Sequence, residues 1–317
     1  MDSLQMDKSA KKRKLGTRKT KQLTYYCLML ALPILQFCFF WVYVNFSSIT
    51  MAFNSYKDAP SGYISTFVGF ENFSIAFKKL GESTYLISNS LIFFALRIAV
   101  GIPLALFFSY YVYKKYLGAG LFRVVLYMPH IISTLVFCLL FKYMVTDLYS
   151  ALMFKWTGEK VRGLLDNPET KLATVMFFNI WIGFGTEVLL YSGTMSGISE
   201  SIVESAELDG ANRVQEFVYI TLPMIYPTLT TFIITSIAGI VTNQLNLVSL
   251  YGKGAEHLAS FGYYLYMEAQ NTSLTSSNAF SLNYPSLAAL GLILTAIIFP
   301  TTWITRKLMQ KFGPSVD

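Results

Sequence analysis

Apolar residues in this chain gather in long blocks separated by short polar segments. Blocks near 24–46, 86–112, 121–145, 172–193, 226–249 and 285–305 are each long enough to cross a bilayer as a helix, which takes about 20 residues. Membrane barrels are instead built from short segments of strict alternation. The pattern therefore predicts an all-α polytopic membrane protein with six transmembrane helices, since a helix satisfies its own backbone in hydrocarbon. Pro33, Pro103, Pro129 and Pro300 lie within spans, where neighbouring helices can satisfy the freed carbonyls and permit kinks.

The polar segments set the topology. An even number of spans places both termini on one side, and the tail before the first span carries eight lysines and arginines. Basic residues accumulate on the cytoplasmic side, so the termini are expected in the cytoplasm of a bacterial plasma membrane. The run "KKRKLGTRKTK" is read as this determinant and not as a nucleic-acid patch, because it adjoins a span. The first span is too long for a signal-peptide core and is expected to be a retained anchor. Loops near 47–85, 146–171 and 250–284 then face outward. The first has the aromatics and turn residues of short interfacial helices, and the last has a helix-like aromatic segment followed by a Ser/Thr/Asn-rich stretch.

Composition agrees with this picture: 54% of the 317 residues are hydrophobic and 14% charged, with mean hydropathy +0.47. The three cysteines, Cys27, Cys38 and Cys138, fall in spans at unrelated spacings and read as buried apolar residues. His130 and His257 show no metal-ligand spacing, and no phosphate-cradling or nucleophile pattern occurs. No catalytic residue, metal site or cofactor of the chain's own is expected.

One cytoplasmic segment stands apart. "ESAELDGANRVQEFVYITLPMIYP", residues 204–227, carries Glu204, Glu207, Asp209 and Glu216 in a chain of net charge +7. Residues 200–209 read as an amphipathic helix with Ile202, Ala206 and Leu208 as its apolar positions. Gly210 breaks it, and a second helix over 211–221 ends before Pro223. Two short helices displaying acids suit a basic groove on a protein partner. Lying on lipid is the alternative, which the anionic inner leaflet would oppose.

The string E-S-A-x-x-D-G-A, followed by I-x-L-P-x-x-x-P, resembles the EAA loop of permease subunits of binding-protein-dependent ABC importers, with Ser205 in place of the middle alanine. "FVGFENF" at 67–73 and the last span resemble the carbohydrate branch. The resemblance implies a type I ABC importer permease core, spans two to six, preceded by one N-terminal helix. It divides the chain into a basic tail (1–23), the first span and external loop (24–85), the core (86–311, with a coupling loop at 200–223) and a C-terminal tail (312–317). It assigns ATPase coupling to Glu204, Ala206, Asp209, Gly210, Ala211, Leu222 and Pro223. The implied partners are a second permease subunit that forms a heterodimer with this one, two ATPase subunits that hold ATP and Mg, and an extracytoplasmic solute-binding protein.

Polar groups inside spans are costly and point to function. Asn179 and Gly183 are spaced i, i+4 in the fourth span; Ser236, Ile240 and Asn243 are i, i+4, i+7 in the fifth. Each set is expected on one helix face, facing a polar midplane cleft. Asn179, Gly183, Ser236 and Asn243 also match the maltose-type larger permeases, which implies a sugar path; Thr186 and Ile240 depart from that pattern. Interhelical hydrogen bonding is the alternative use of these groups. Arg97 and Glu187 are the only charges well inside spans, and Glu187 counts nearer the cytoplasmic end, which argues against a direct pair. An ABC permease for glycerol phosphates or peptides, a secondary transporter and a membrane scaffold remain as alternatives at this level.

Overall fold

The computed structural model describes residues 2–271 and 283–314. Among the described residues, five helices are long and apolar enough to span a membrane: α1 (Thr20–Ala52), α3 (Thr84–Tyr113), α5 (Thr134–Thr157), α6 (Lys171–Met195) and α12 (Tyr284–Phe312). A sixth crossing forms if α8 (Arg213–Met224) and α9 (Tyr226–Thr242), bent by 70° at Ile225, are taken together. Between them lie α2 (Glu71–Glu82), α4 (Ala119–Ile131), α7 (Glu200–Leu208), α10 (Leu247–Tyr251) and α11 (Phe261–Asn271). One antiparallel hairpin, β1 (Asn54–Ala59) with β2 (Gly62–Phe67), interrupts the helices. Pro60 and Ser61 make the turn, and Gly62 opens β2 at φ +126.

Three expectations change. The third apolar block is not one helix: Ile132 is extended (φ −82, ψ 142), so α4 ends there and α5 runs on to Thr157, through residues expected in a loop. The fifth block ends as a helix at Thr242, where Asn243 turns extended (φ −77, ψ 120). Cys27 and Cys38 are exposed and only Cys138 is buried, because α1 faces away from the rest of the chain along most of its length. The aromatic segment of the last external loop is α11; its Ser/Thr/Asn-rich stretch lies outside the described residues.

Two buried clusters organise the core. The first includes Ala52, Leu86, Phe141, Phe178, Leu245, Leu250 and Leu290; the second includes Ile102, Leu106, Val188, Tyr191, Val203 and Ile225. Gly185 lets α4 cross α6 in close contact, since a Cβ there would sit 2.0 Å from the Leu126 carbonyl oxygen. The C-terminal end of α1 docks on α12, and buried Asn72 of α2 donates to the Ala52 and Asn54 carbonyls. This buried amide therefore ties the C-terminal end of the first span and the start of the hairpin to α2.

Candidate coupling loop and intramembrane polar site

The acidic segment folds as two short helices joined by a tight turn. Gly210 adopts φ +82. Its N–H donates to the Glu207 carbonyl, and that of Ala211 donates to the Ala206 carbonyl. These two bonds form a Schellman ending, satisfying carbonyls that a helix terminus leaves open. Asn212 then opens α8: its Oδ1 accepts from the Val214 and Gln215 N–H groups, and the Gln215 side chain accepts from the Asn212 N–H. Such a reciprocal cap is worth about 1 kcal/mol. Asn212-x-x-Gln215 was a readable cap pattern that the apolar periodicity alone passed over.

Val203 and Ala206 form the buried side of α7, whereas Ile202 and Leu208 are exposed, contrary to the expected apolar positions. The register of α7 on its neighbours, fixed by tertiary contacts, decided which apolar residues turn inward. Glu204, Glu207 and Asp209 are exposed. Glu216 is not displayed: it is 2% exposed, with Oε1 2.6 Å from Lys114 Nζ. Pro223 does not end the second helix either. A wide turn over Phe217–Thr221 precedes it, in which Leu222 N–H donates to the Phe217 carbonyl, and Pro223 occupies the first turn of the next segment, where no N–H is needed. The chain bends instead at Ile225. Leu208, Val214 and Tyr219 are largely exposed around the acids, giving the loop a mixed acidic and apolar surface.

Higher in the bundle, Asn179 is buried and fully engaged. Its Nδ2 donates to the Val175 and Leu245 carbonyls, at 2.9 and 2.8 Å, and its Oδ1 accepts from Asn246 Nδ2 at 2.8 Å. Leu245 and Asn246 both have positive φ, 52 and 51, a conformation disfavoured for residues with a Cβ. Asn179 thus holds the turn that follows α9. Asn243 supports the same turn: its Oδ1 accepts from the Leu245 N–H, and its carbonyl accepts from the Ser260 hydroxyl. Gly262 closes over it, with no room for a Cβ against Thr242 and Asn243 backbone.

The four polar candidates therefore do not form two simple helix faces. Asn243 has left the helix that carries Ser236, so the i, i+7 relation fails. Ser236 is buried and donates back to the Phe232 carbonyl. Gly183 faces open space, since a Cβ there would meet nothing within 4 Å. One turn along α6 from Gly183, Thr186 Oγ1 lies 2.5 Å from His130 Nε2 of α4. The sequence carried no sign of that contact or of the role of Asn246.

Arg97 and Glu187 pair directly, at 2.7 Å, correcting the expectation from helix counting. The Ser109 hydroxyl donates to the Val188 carbonyl, a further contact between α3 and α6. Side-chain direction brings the pair together. The arginine stem runs along its own helix past Gly101, where a Cβ would be 3.6 Å from Arg97 Cγ, and helical side chains such as Glu187 tilt toward the N-terminus.

The comparisons agree with this architecture. The family model of the binding-protein-dependent transport system inner membrane component matches residues 97–313. A probable ABC transporter permease protein of Bacillus subtilis, YesP, is 27% identical over 297 residues, covering 88% of this chain and 91% of that one. The polygalacturonan/rhamnogalacturonan transport system permease protein YteP of the same organism is 26% identical over 304 residues, 91% of this chain and 88% of its own. The crystal structure of a bacterial ABC transporter involved in import of the acidic polysaccharide alginate superposes with TM-score 0.72 at 21% identity, over 95% of this chain and 99% of that one. That likeness confirms the fold. The chain is a membrane-spanning permease and belongs to the family of binding-protein-dependent transport system inner membrane components.

Proposed function

We propose that this permease is one of two membrane subunits of an ATP-driven importer of sugars or oligosaccharides, and that it lines half of the translocation path. The observation that carries the coupling role is the shape of residues 200–223: a capped, rigid helix pair presenting Glu204, Glu207 and Asp209 beside exposed Leu208 and Val214. In this reading the loop seats in a basic groove of an ATPase subunit. Glu204 contacts the groove; Ala206, Asp209, Gly210 and Ala211 form the turn; Leu222 and Pro223 lead the motion into the bend before α9. ATP and Mg belong to two ATPase partners, so the chain itself catalyses no covalent step and binds no cofactor. A second, different permease completes the path, and an extracytoplasmic binding protein delivers the solute. Both termini then lie in the cytoplasm.

A sugar cargo is favoured by the carbohydrate transport named for the relative YteP and for the alginate transporter. Neutralisation of Arg97 by Glu187 disfavours a phosphate cargo, which would call for an available intramembrane cation. Gly183, Ser236 and Asn243 are the proposed path positions, with Asn179 shaping the turn beside them. Affinity purification of the tagged chain from its own membranes should recover an ATPase and a second permease. Glu204→Lys should abolish both ATPase recovery and ATP-driven uptake while the subunit still inserts; unimpaired uptake would remove Glu204 from the coupling role.

A further inference from the structure

We propose that Lys114, at the cytoplasmic end of α3, is a positioning residue that fixes the orientation of the whole acidic loop. This inference rests on the coupling role proposed above and adds a third span to its mechanical connections. Lys114 Nζ lies 2.6 Å from Glu216 Oε1 of α8 and 3.8 Å from Glu207 Oε1 of α7. One ammonium therefore reaches both helices of the loop, from an element far away in sequence.

The surroundings make the contact more than a surface ion pair. The side chains of Lys114 and Glu216 are 11% and 3% exposed. The lysine is flanked by the Tyr110 and Tyr113 rings, at 5.9 and 5.8 Å from their centroids. Around it, the Tyr110 hydroxyl donates to the Arg213 carbonyl, and the Arg213 guanidinium donates to the Tyr116 hydroxyl at 2.6 Å. The Tyr110 ring also packs edge-on against Phe217. Burial of an ion pair is poor evidence for net stability, but it penalises every arrangement in which either charge loses its partner. Here that penalty selects one angle between the loop and α3.

The consequence concerns load. Without Lys114 the loop is joined to the bundle by the covalent connections to α6 and α9, by the Tyr110–Arg213 and Arg213–Tyr116 hydrogen bonds and by apolar contacts. Lys114 adds a buried ionic link to both loop helices, so that a displacement of the loop is coupled more firmly to α3, which is tied to α6 by the Arg97–Glu187 pair. Lys114 does not touch the partner in this scheme; it acts through Glu216 and Glu207.

Lys114→Met keeps the stem and removes the charge. In the full chain, amide exchange across Glu200–Glu216 should rise about tenfold, and ATPase recovery with the tagged chain should fall about tenfold. The exchange Lys114→Glu with Glu216→Lys should restore both to within about threefold of wild type, whereas Lys114→Glu alone should be worse than Lys114→Met. Unchanged amide exchange in Lys114→Met would overturn the proposal, as would failure of the charge exchange to improve on the single variant. Raised exchange with undiminished ATPase recovery would also overturn it, because the loop's orientation would then not govern docking. If wild type recovers no ATPase, the coupling role fails, and the amide-exchange comparison still decides whether Lys114 fixes the loop.

Discussion

Arg97 Nη2 and Glu187 Oε1 meet at 2.7 Å, an ion pair that joins α3 to α6. The pair lies where the two apolar clusters adjoin: Leu96 and Ile182 pack with the first, Ile98 and Val188 with the second. Neutralising one member leaves the other charge without its partner. Glu187→Leu should destabilise the purified chain by about 3 kcal/mol, the low end for a broken buried pair because Arg97 is partly exposed. Arg97→Met combined with Glu187→Leu should recover most of that loss. Denaturant unfolding of the single and double variants in the same detergent measures both effects.

Asn179 offers a different test. Its amide makes three hydrogen bonds, two of them to the left-handed turn at Leu245–Asn246. Asn179→Leu should cost about 2–4 kcal/mol, as groups on the turn lose their partner in a buried setting. Amide exchange at 243–250 should rise more than exchange along α9. A uniform rise across both would mean that the turn is held by something other than Asn179.

The two glycines Gly183 and Gly185 should behave oppositely despite their proximity. Gly185→Ala forces a methyl against the Leu126 carbonyl and should separate α4 from α6, with a clear loss of thermal stability. Gly183→Ala meets open space and should leave stability within about 0.5 kcal/mol of wild type. Reduced uptake by a stable Gly183→Ala variant would locate that open space on the cargo path; normal uptake would remove it.

In the loop, Gly210→Ala should cost about 1–2 kcal/mol through its positive φ alone, since no neighbour obstructs the added methyl. Asn212→Ala should cost about 1 kcal/mol through the lost cap. Both should raise amide exchange over 206–216 while leaving α6 unchanged. Equal protection in either variant would show that contacts outside the turn define its shape.

The amount legible in the sequence depended on the range of the interaction involved. Long apolar blocks announced the spans, and Gly210 announced its turn, because these are local properties of backbone and solvent. Residues whose role depends on another element were misread or missed. Glu216 looked displayed until Lys114 covered it; Asn243 looked helical until the turn beyond it, held by Asn179, drew it out. The distance between Arg97 and Glu187 was misjudged because counting residues measures helix axes and ignores the reach of side chains. The break at Ile132 also lacked a glycine to mark it, and the nearest signal, Pro129, lies inside α4.

The first span has a mechanical meaning of its own. None of the most apolar window of α1 is buried in the chain, yet Ala52 at its C-terminal end is wholly enclosed. A rod clamped at one tip and otherwise clear of the rest of the chain is a boom on a pivot. Its attachment to this chain is confined to that tip, so α1 can swing relative to the bundle without repacking the core.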